Sequence, residues 1–322
     1  MHVGGKSPTF GSSGIVAREY RPRPDFFRAA CWLASWFTVI LILLIVGTIV
    51  VRAWPAIQQF GFNFITGTQW TPNREKFGVL PVLIGTAASS LLALVLALPL
   101  GLAISIFLSE NFLPPAVRQA IRFVVELLAA IPSVVYGLWG IFVVIPLVQQ
   151  YGTLFCSKLG FIPFFQGPAY GNSLITASLV LALMVLPTIT AISRSALVAV
   201  PPTLREASYA LGGTRWETIL GVILPTAAPG IVAATILAFG RAMGETMAVA
   251  MLIGNSQRLI SSIFSPSNTL SALLANQFAE ADGIQVSALM YAAALLVVLT
   301  LGVNMIGEAV LRYTQRNVAG LS

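Results

Sequence analysis

The chain has 322 residues, 57% of them hydrophobic and only 9% charged, against roughly 45–50% and 25% in ordinary soluble domains. That balance excludes a water-soluble fold and defines a polytopic, all-α membrane protein. A formal net charge of +7 would suggest nucleic acid as the partner of a soluble domain; here the basic residues are scattered among apolar spans. They are read as topology signals and contacts to anionic membrane lipid, with no nucleic acid.

Residues 1–28 are rich in Gly, Ser, Pro and Arg and read as a flexible basic tail. Their GGKS, Gly4 to Ser7, is not a phosphate-cradling loop, because that loop needs a preceding strand and an earlier glycine for which there is no room. Span one is 29–51, uncharged between Arg28 and Arg52 and too long for a signal sequence. The polar stretch 52–78 is a loop between spans, with Trp54 and Trp70 suited to an interface. Span two is expected at 79–108, bent by Pro99 and Gly101.

Span three is expected at 121–148, with Arg122 and Glu126 paired near its start and IPSVVYG, 131–137, in its middle. That pair reads either as snorkelled structure or as mechanism, and Pro132 either as a packing kink or as a substrate contact. After a loop at 149–172 come span four (173–193), a polar connection (194–224) and span five (226–253). Leu270, Leu273, Leu274 and Phe278 share one helical face. They describe a short helix lying at the interface, or a buried gate helix with the same pattern. Span six is 284–307, and the chain closes on a basic tail carrying Arg312 and Arg316, its last part at 315–322.

Six spans put both termini on one side. The termini, the 109–120 and 194–224 connections and Arg122 carry twelve Lys and Arg; the other three loops carry five. By the positive-inside rule the first set is cytoplasmic. Cys31 and Cys156 then lie on opposite sides and cannot pair, and the lone histidine, His2, leaves a metal site nothing to be built from.

The connection at 194–224 is well punctuated. Thr203 and Glu206 have the spacing of a capping box, so a helix is expected to start there, with Leu204, Ala207 and Leu211 on one face. Gly212-Gly213 supplies a left-handed stop, and Thr214 with Glu217 repeats the capping-box spacing. About thirty residues of capped structure exceed an ordinary connection and suggest a docking surface.

Span five carries Arg241 and Glu245. A rise of about 1.5 Å per residue takes Arg241 roughly 24 Å from Pro225, inside a bilayer core about 30 Å thick. Two such charges cost roughly 5–7 kcal/mol on an insertion scale, more than the span's apolar side chains return, so they cannot face lipid. Four-residue spacing lets them neutralise one another on one face. Two readings stand: a structural brace, or an anion path in which the planar guanidinium of Arg241 meets the oxygens of a tetrahedral anion while Glu245 competes for it. Gly240 and Gly244 make a notch for a neighbouring helix, and Met243, Met247 and Met251 form a packing or lipid-facing stripe.

The pattern EASYALG at 206–212, followed by Val222, Leu224 and Pro225, resembles the EAA loop of ABC-importer permeases, with Ser208 in place of the second Ala and Val222 in place of Ile. FGVLPVLIGT (77–86), VELLAAIPSVVYGLWG (125–140), ASLVLALMVLPTI (177–189) and GRAMGETMAV (240–249) narrow the resemblance to permease subunits of phosphate importers, over roughly residues 28–314. It implies the six-helix type I importer architecture over 29–314 and a prokaryotic inner-membrane location. Leu204, Glu206, Ala207, Leu211 and Gly212 would dock in an ATPase subunit, and Arg241 and Glu245 would be the charged residues of the path. The implied partners are a PstA-like permease subunit, two ATPase subunits that use ATP and Mg, and an extracytoplasmic phosphate-binding protein that delivers inorganic phosphate. No nucleotide-binding motif is present, so this chain is expected to bind no cofactor and to act by alternating access, not as an enzyme. A permease for sulfate, molybdate or tungstate is the neighbouring reading. A secondary anion transporter or channel would show a repeat between two halves, and none is seen.

Overall fold

The computed structural model of the protein describes residues 26–319 apart from 111, 160, 162 and 167. The expected tail at 1–25 and residues 320–322 lie outside the described residues. The chain divides into two units after Gly47. The first is the N-terminal part of helix α1 (Phe26–Phe60), whose apolar side chains, among them Trp32, Leu33 and Phe37, are exposed. The second begins at Thr48 and holds everything else.

In the second unit, the end of α1 leads through α2 (Asn63–Thr66) to a small antiparallel hairpin, β1 (Trp70–Thr71) and β2 (Lys76–Phe77), which pairs Trp70 with Phe77. Where an interfacial side chain was expected, Trp70 is buried in the protein and donates its indole N–H to Gln277 Oε1 at 2.7 Å. Phe64 stacks on Tyr291 with ring centroids 4.4 Å apart. Trp70 and Tyr291 bury their rings while their polar tips bond to Gln277 and the Gly61 carbonyl.

Helix α3 (Leu80–Ser109) matches expected span two to within one residue. It packs along α7 (Leu174–Val198), the span with the largest buried share, 67%. The buried residues of the two helices include many small ones, Ser89, Ser90, Ala93, Ala97 and Ser105 on α3 and Ala177, Ser178 and Ser193 on α7, and Gly101 of α3 lies against Ile189 and Thr190 of α7. Small residues let helices approach closely where lipid offers no hydrophobic drive for association. α7 also touches α4, α5, α10 and α11, so it is the axis of the bundle.

Span three departs from expectation. Residues 115–130 form a separate helix, α4 (Pro115–Ala130); the chain then turns extended at Ile131 and Pro132, and the span itself starts at α5 (Ser133–Trp139). It continues through a π-helical turn (Gly140–Val144) into α6 (Ile145–Leu159). Pro132 breaks the helix where a kink was expected, because a proline ring pushes the preceding residue out of the α region. The Arg122–Glu126 ion pair forms at 2.8 Å, exposed and on α4, not within the span.

After α7 come α8 (Pro202–Ala210) and α9 (Arg215–Thr218). A second π-helical turn (Ile219–Ile223) joins α9 to α10 (Leu224–Gly244), followed by α11 (Met247–Leu252). Span five therefore ends at Gly244 and not near 253. α12 (Leu270–Gln277) is the amphipathic segment; Leu270 and Leu273 are fully buried and it packs on α11, α13 and α3, which selects the buried reading over the interfacial one. α13 (Ile284–Ala319) extends well past the expected end of span six and carries Arg312, paired with Glu308 at 2.9 Å, and Arg316 on helix where a tail was expected. Among the described residues, six helical segments are long and apolar enough to cross a membrane.

Candidate functional site

Arg241 sits in the last turn of α10 and is exposed. Its Nη1 donates to Thr188 Oγ1 on α7 at 3.1 Å, and it lies close enough to Tyr136 on α5 to act on it electrostatically. A guanidinium has five N–H donors. Among the described residues Thr188 is its hydrogen-bond partner, which leaves most donors available to a ligand on the open side.

The expected Arg241–Glu245 pair does not form. Helix α10 ends one residue before Glu245, whose backbone is extended (φ −68°, ψ 129°), so the four-residue spacing no longer places the two side chains on one helical face. Among the described residues no ion pair joins them. The break is held by one tertiary bond and one local one: Ser271 Oγ on α12 donates to the Glu245 carbonyl at 2.7 Å, and Thr246 Oγ1 to the Gly244 carbonyl at 3.2 Å. The break also dissolves the methionine stripe: Met243 is buried, Met247 exposed, and Met251 lies against Gly137. The glycine notch is half used. Gly240 faces Asn304 of α13, while no side chain or backbone from elsewhere comes near Gly244.

The second constellation is the corner between α8 and α9. Its second half is as expected: the Thr214 hydroxyl accepts from the Glu217 amide at 3.4 Å, and Glu217 Oε2 accepts from the Thr214 amide at 2.7 Å. Gly212 has φ +85°, the left-handed conformation that glycine adopts without strain. The first capping box is absent. Helix α8 starts at Pro202 with Pro201 as its cap and no side-chain cap bond, so Thr203 is already inside it. A proline in the first helical position needs no N–H and has its φ preset. Leu204, Glu206, Ala207, Leu211 and Gly212 are all exposed, Leu211 at 91%.

What the sequence did not show is how the corner is tied to the bundle. Arg205 Nη2 donates to the Leu197 carbonyl at 2.9 Å and pairs with Glu110, in the α3–α4 turn, at 3.2 Å. Phe112 of that turn stacks on Trp216, centroids 5.2 Å apart, with Arg215 over its ring. Ser208, the departure from the EAA pattern, shares a hydrogen bond of 2.8 Å with Thr218 Oγ1 across the corner. Beneath it, Leu197 and Val200 pack on Ile219, Ile223 and Ala227. The one local hint was Glu110, a charge directly after the uncharged helix α3.

A multi-span bundle with an exposed, braced helical corner at one end and an arginine within its fifth span defines a transport permease. Residues 97–319 match the family model for the binding-protein-dependent transport system inner membrane component. The chain is 40% identical over 281 residues to the phosphate transport system permease protein PstC of Haemophilus influenzae, covering 86% of this chain and 89% of that one. It is 41% identical to the PstC of Mesorhizobium japonicum, covering 84% of each, and 34% identical to a probable PstC of Methanocaldococcus jannaschii, covering 92% and 96%. Among solved structures, a chain of the MetNI methionine ABC transporter in an inward-facing conformation superposes with a TM-score of 0.56 at 19% identity, covering 73% of this chain and 95% of that one. A chain of a bacterial alginate ABC transporter superposes with a TM-score of 0.61 at 16% identity, covering 88% and 94%. The chain belongs to the binding-protein-dependent transport system inner membrane components and, within them, to the PstC permeases.

Proposed function

We propose that the chain is a membrane-spanning subunit of an ATP-driven importer for inorganic phosphate. It forms half of the translocation path with a PstA-like subunit and takes its motion from two ATPase subunits, which use ATP and Mg. An extracytoplasmic binding protein delivers the phosphate. Both termini and the α8–α9 corner are assigned to the cytoplasm on the basic-residue count.

The observation that carries this reading is Arg241: a permanent charge within a membrane-spanning helix, exposed on this subunit and anchored by one hydroxyl. A charge so placed must look into protein or a watery path. Its unused donors fit the oxygens of phosphate, and Thr188 orients the fork. Glu245, on the extended break, supplies the counter-charge: rotation about the Gly244–Thr246 backbone brings its carboxylate to Arg241 once the anion has left. At the other end, the exposed Leu204, Glu206, Ala207 and Leu211 dock with an ATPase subunit, Gly212 ends the docking helix, and Arg205–Glu110 passes its displacement to α3 and α4.

The test is phosphate uptake by vesicles containing the assembled transporter. Arg241→Gln should lower ATP-dependent uptake by at least about tenfold, the worth of one charge-assisted contact, with subunit assembly retained. Normal uptake in that variant, or uptake driven by an ion gradient without ATP, overturns the proposal. Sulfate transported in place of phosphate overturns the choice of anion alone.

A further inference from the structure

A second cluster of arginines lies away from Arg241, at the end of the bundle where α3 and α7 finish. Arg118 and Arg122, four residues apart, share one face of α4, and Arg194 on α7 lies across from them. They line a cavity of about 570 Å³ together with Ser109, Gln119 and Glu126. That size is within the range of small-ligand sites. Three guanidinium groups and one carboxylate line the cavity.

Arg194 is the residue that asks for an explanation. Its Nε is buried and meets no hydrogen-bond partner, and among the described residues no carboxylate pairs with it. Leaving a buried donor of a charged group unsatisfied is costly. Glu126 lines the same cavity but is engaged by Arg122 at 2.8 Å. Arg194 therefore brings an unsatisfied charged donor to the cavity. It also lies beside the N-terminal turn of α4, a sixteen-residue helix whose dipole favours an anion there.

We propose that this cavity binds a phosphate group between Arg118 and Arg122 on α4 and Arg194 on α7, carried either by an anionic phospholipid or as free inorganic phosphate. Several oxygens on one centre match arginines arriving from two helices, a geometry that a single planar carboxylate fills less well. Leu108, Phe123 and Val198 give the cavity an apolar flank, on which the glycerol and acyl portions of a lipid can lie. Basic pockets between membrane helices are suited to such headgroups. The bound group would clamp α4 to α7 next to the turn in which Glu110 grips Arg205.

The experiment uses the assembled transporter with two probes. In the first, native mass spectrometry counts phosphatidylglycerol retained after extraction from phosphatidylcholine vesicles made with and without that lipid. In the second, equilibrium dialysis measures labelled inorganic phosphate. Arg194→Gln should reduce one of these by about tenfold, while Arg74→Gln, at an exposed arginine that belongs to neither site, leaves that same quantity unchanged. Loss confined to phosphatidylglycerol assigns a lipid; loss confined to inorganic phosphate, a free anion. Should Arg194→Gln fail to assemble, Arg122→Gln, at an exposed side chain, carries the same readout. Unchanged retention of both probes in the assembled variants overturns the site.

Discussion

The corner at Gly212 and the break at Glu245 are two interruptions flanking the same run of helix, and they are built in opposite ways. The corner is made by neighbours in sequence: Thr214 and Glu217 exchange two bonds and Gly212 adopts its positive φ in open space. Its outer face is exposed and its ties to the bundle, Arg205–Glu110 and Phe112–Trp216, pass through side chains. The break is made by residues far away in the chain, with Ser271 on Glu245 and a loop wedged against α3, where the Leu270 amide donates to Thr86 Oγ1 at 2.9 Å. A corner held locally keeps its shape while being displaced. A break held from α12 and, through it, α3 changes only when those helices move.

The comparison is broken most severely at the wedge. Gly85 of α3 lies so close to the Asn268 carbonyl that any Cβ would overlap it. Gly85→Val should cost upwards of about 3 kcal/mol by overpacking, seen as loss of assembled transporter on size-exclusion chromatography, with the corner's own structure unaffected.

Next comes the tie. Glu110→Ala removes the partner of a largely buried Arg205, whose side chain is 24% exposed, and should cost about 1.5–3 kcal/mol. Thermal unfolding of the single and double variants in a cycle with Arg205→Ala should show non-additivity, and ATP hydrolysis should continue with reduced uptake. Full additivity would mean that the tie transmits nothing.

Smaller effects belong to the corner itself. Gly212→Ala places a Cβ at φ +85° and should cost about 1–2 kcal/mol. Hydrogen exchange should show faster opening of α8 and α9 but not of α11. Thr214→Ala loses the capping box, about 1 kcal/mol, with a correspondingly smaller rise in the same exchange rates. Thr203→Ala should change stability by less than about 0.5 kcal/mol, because Thr203 is inside the helix and caps nothing; a loss as large as that of Thr214→Ala would restore the first capping box.

The same contrast explains what could be read from residues alone. Spans two and four and the second half of the corner were legible because hydropathy, Gly212 and the Thr214–Glu217 spacing are local signals. The start of α8 was misplaced because Pro201-Pro202 outranks a hydroxyl–glutamate spacing as a helix start. The end of α10 was not legible: Gly244 read as a packing notch, and its stop is enforced by Ser271 of α12, twenty-six residues on. Arg241 was found by its cost in lipid, but its partner, Thr188, lies fifty-three residues earlier and carries no signal of its own. Glu110 and Arg205 belong to the same class of long-range contact.

The π-helical turn at Ile219–Ile223 adds one residue to a helix that otherwise runs from the corner to Arg241. One residue is about 1.5 Å of length but about 100° of rotation. The insertion therefore works as an azimuth setting: it leaves the reach of the helix nearly unchanged and decides which way its far end points. Deleting Gly221, exposed and without contacts in this turn, would return the segment to ordinary α geometry and swing the guanidinium by about a quarter turn relative to the corner, uncoupling the two ends without shortening the rod between them.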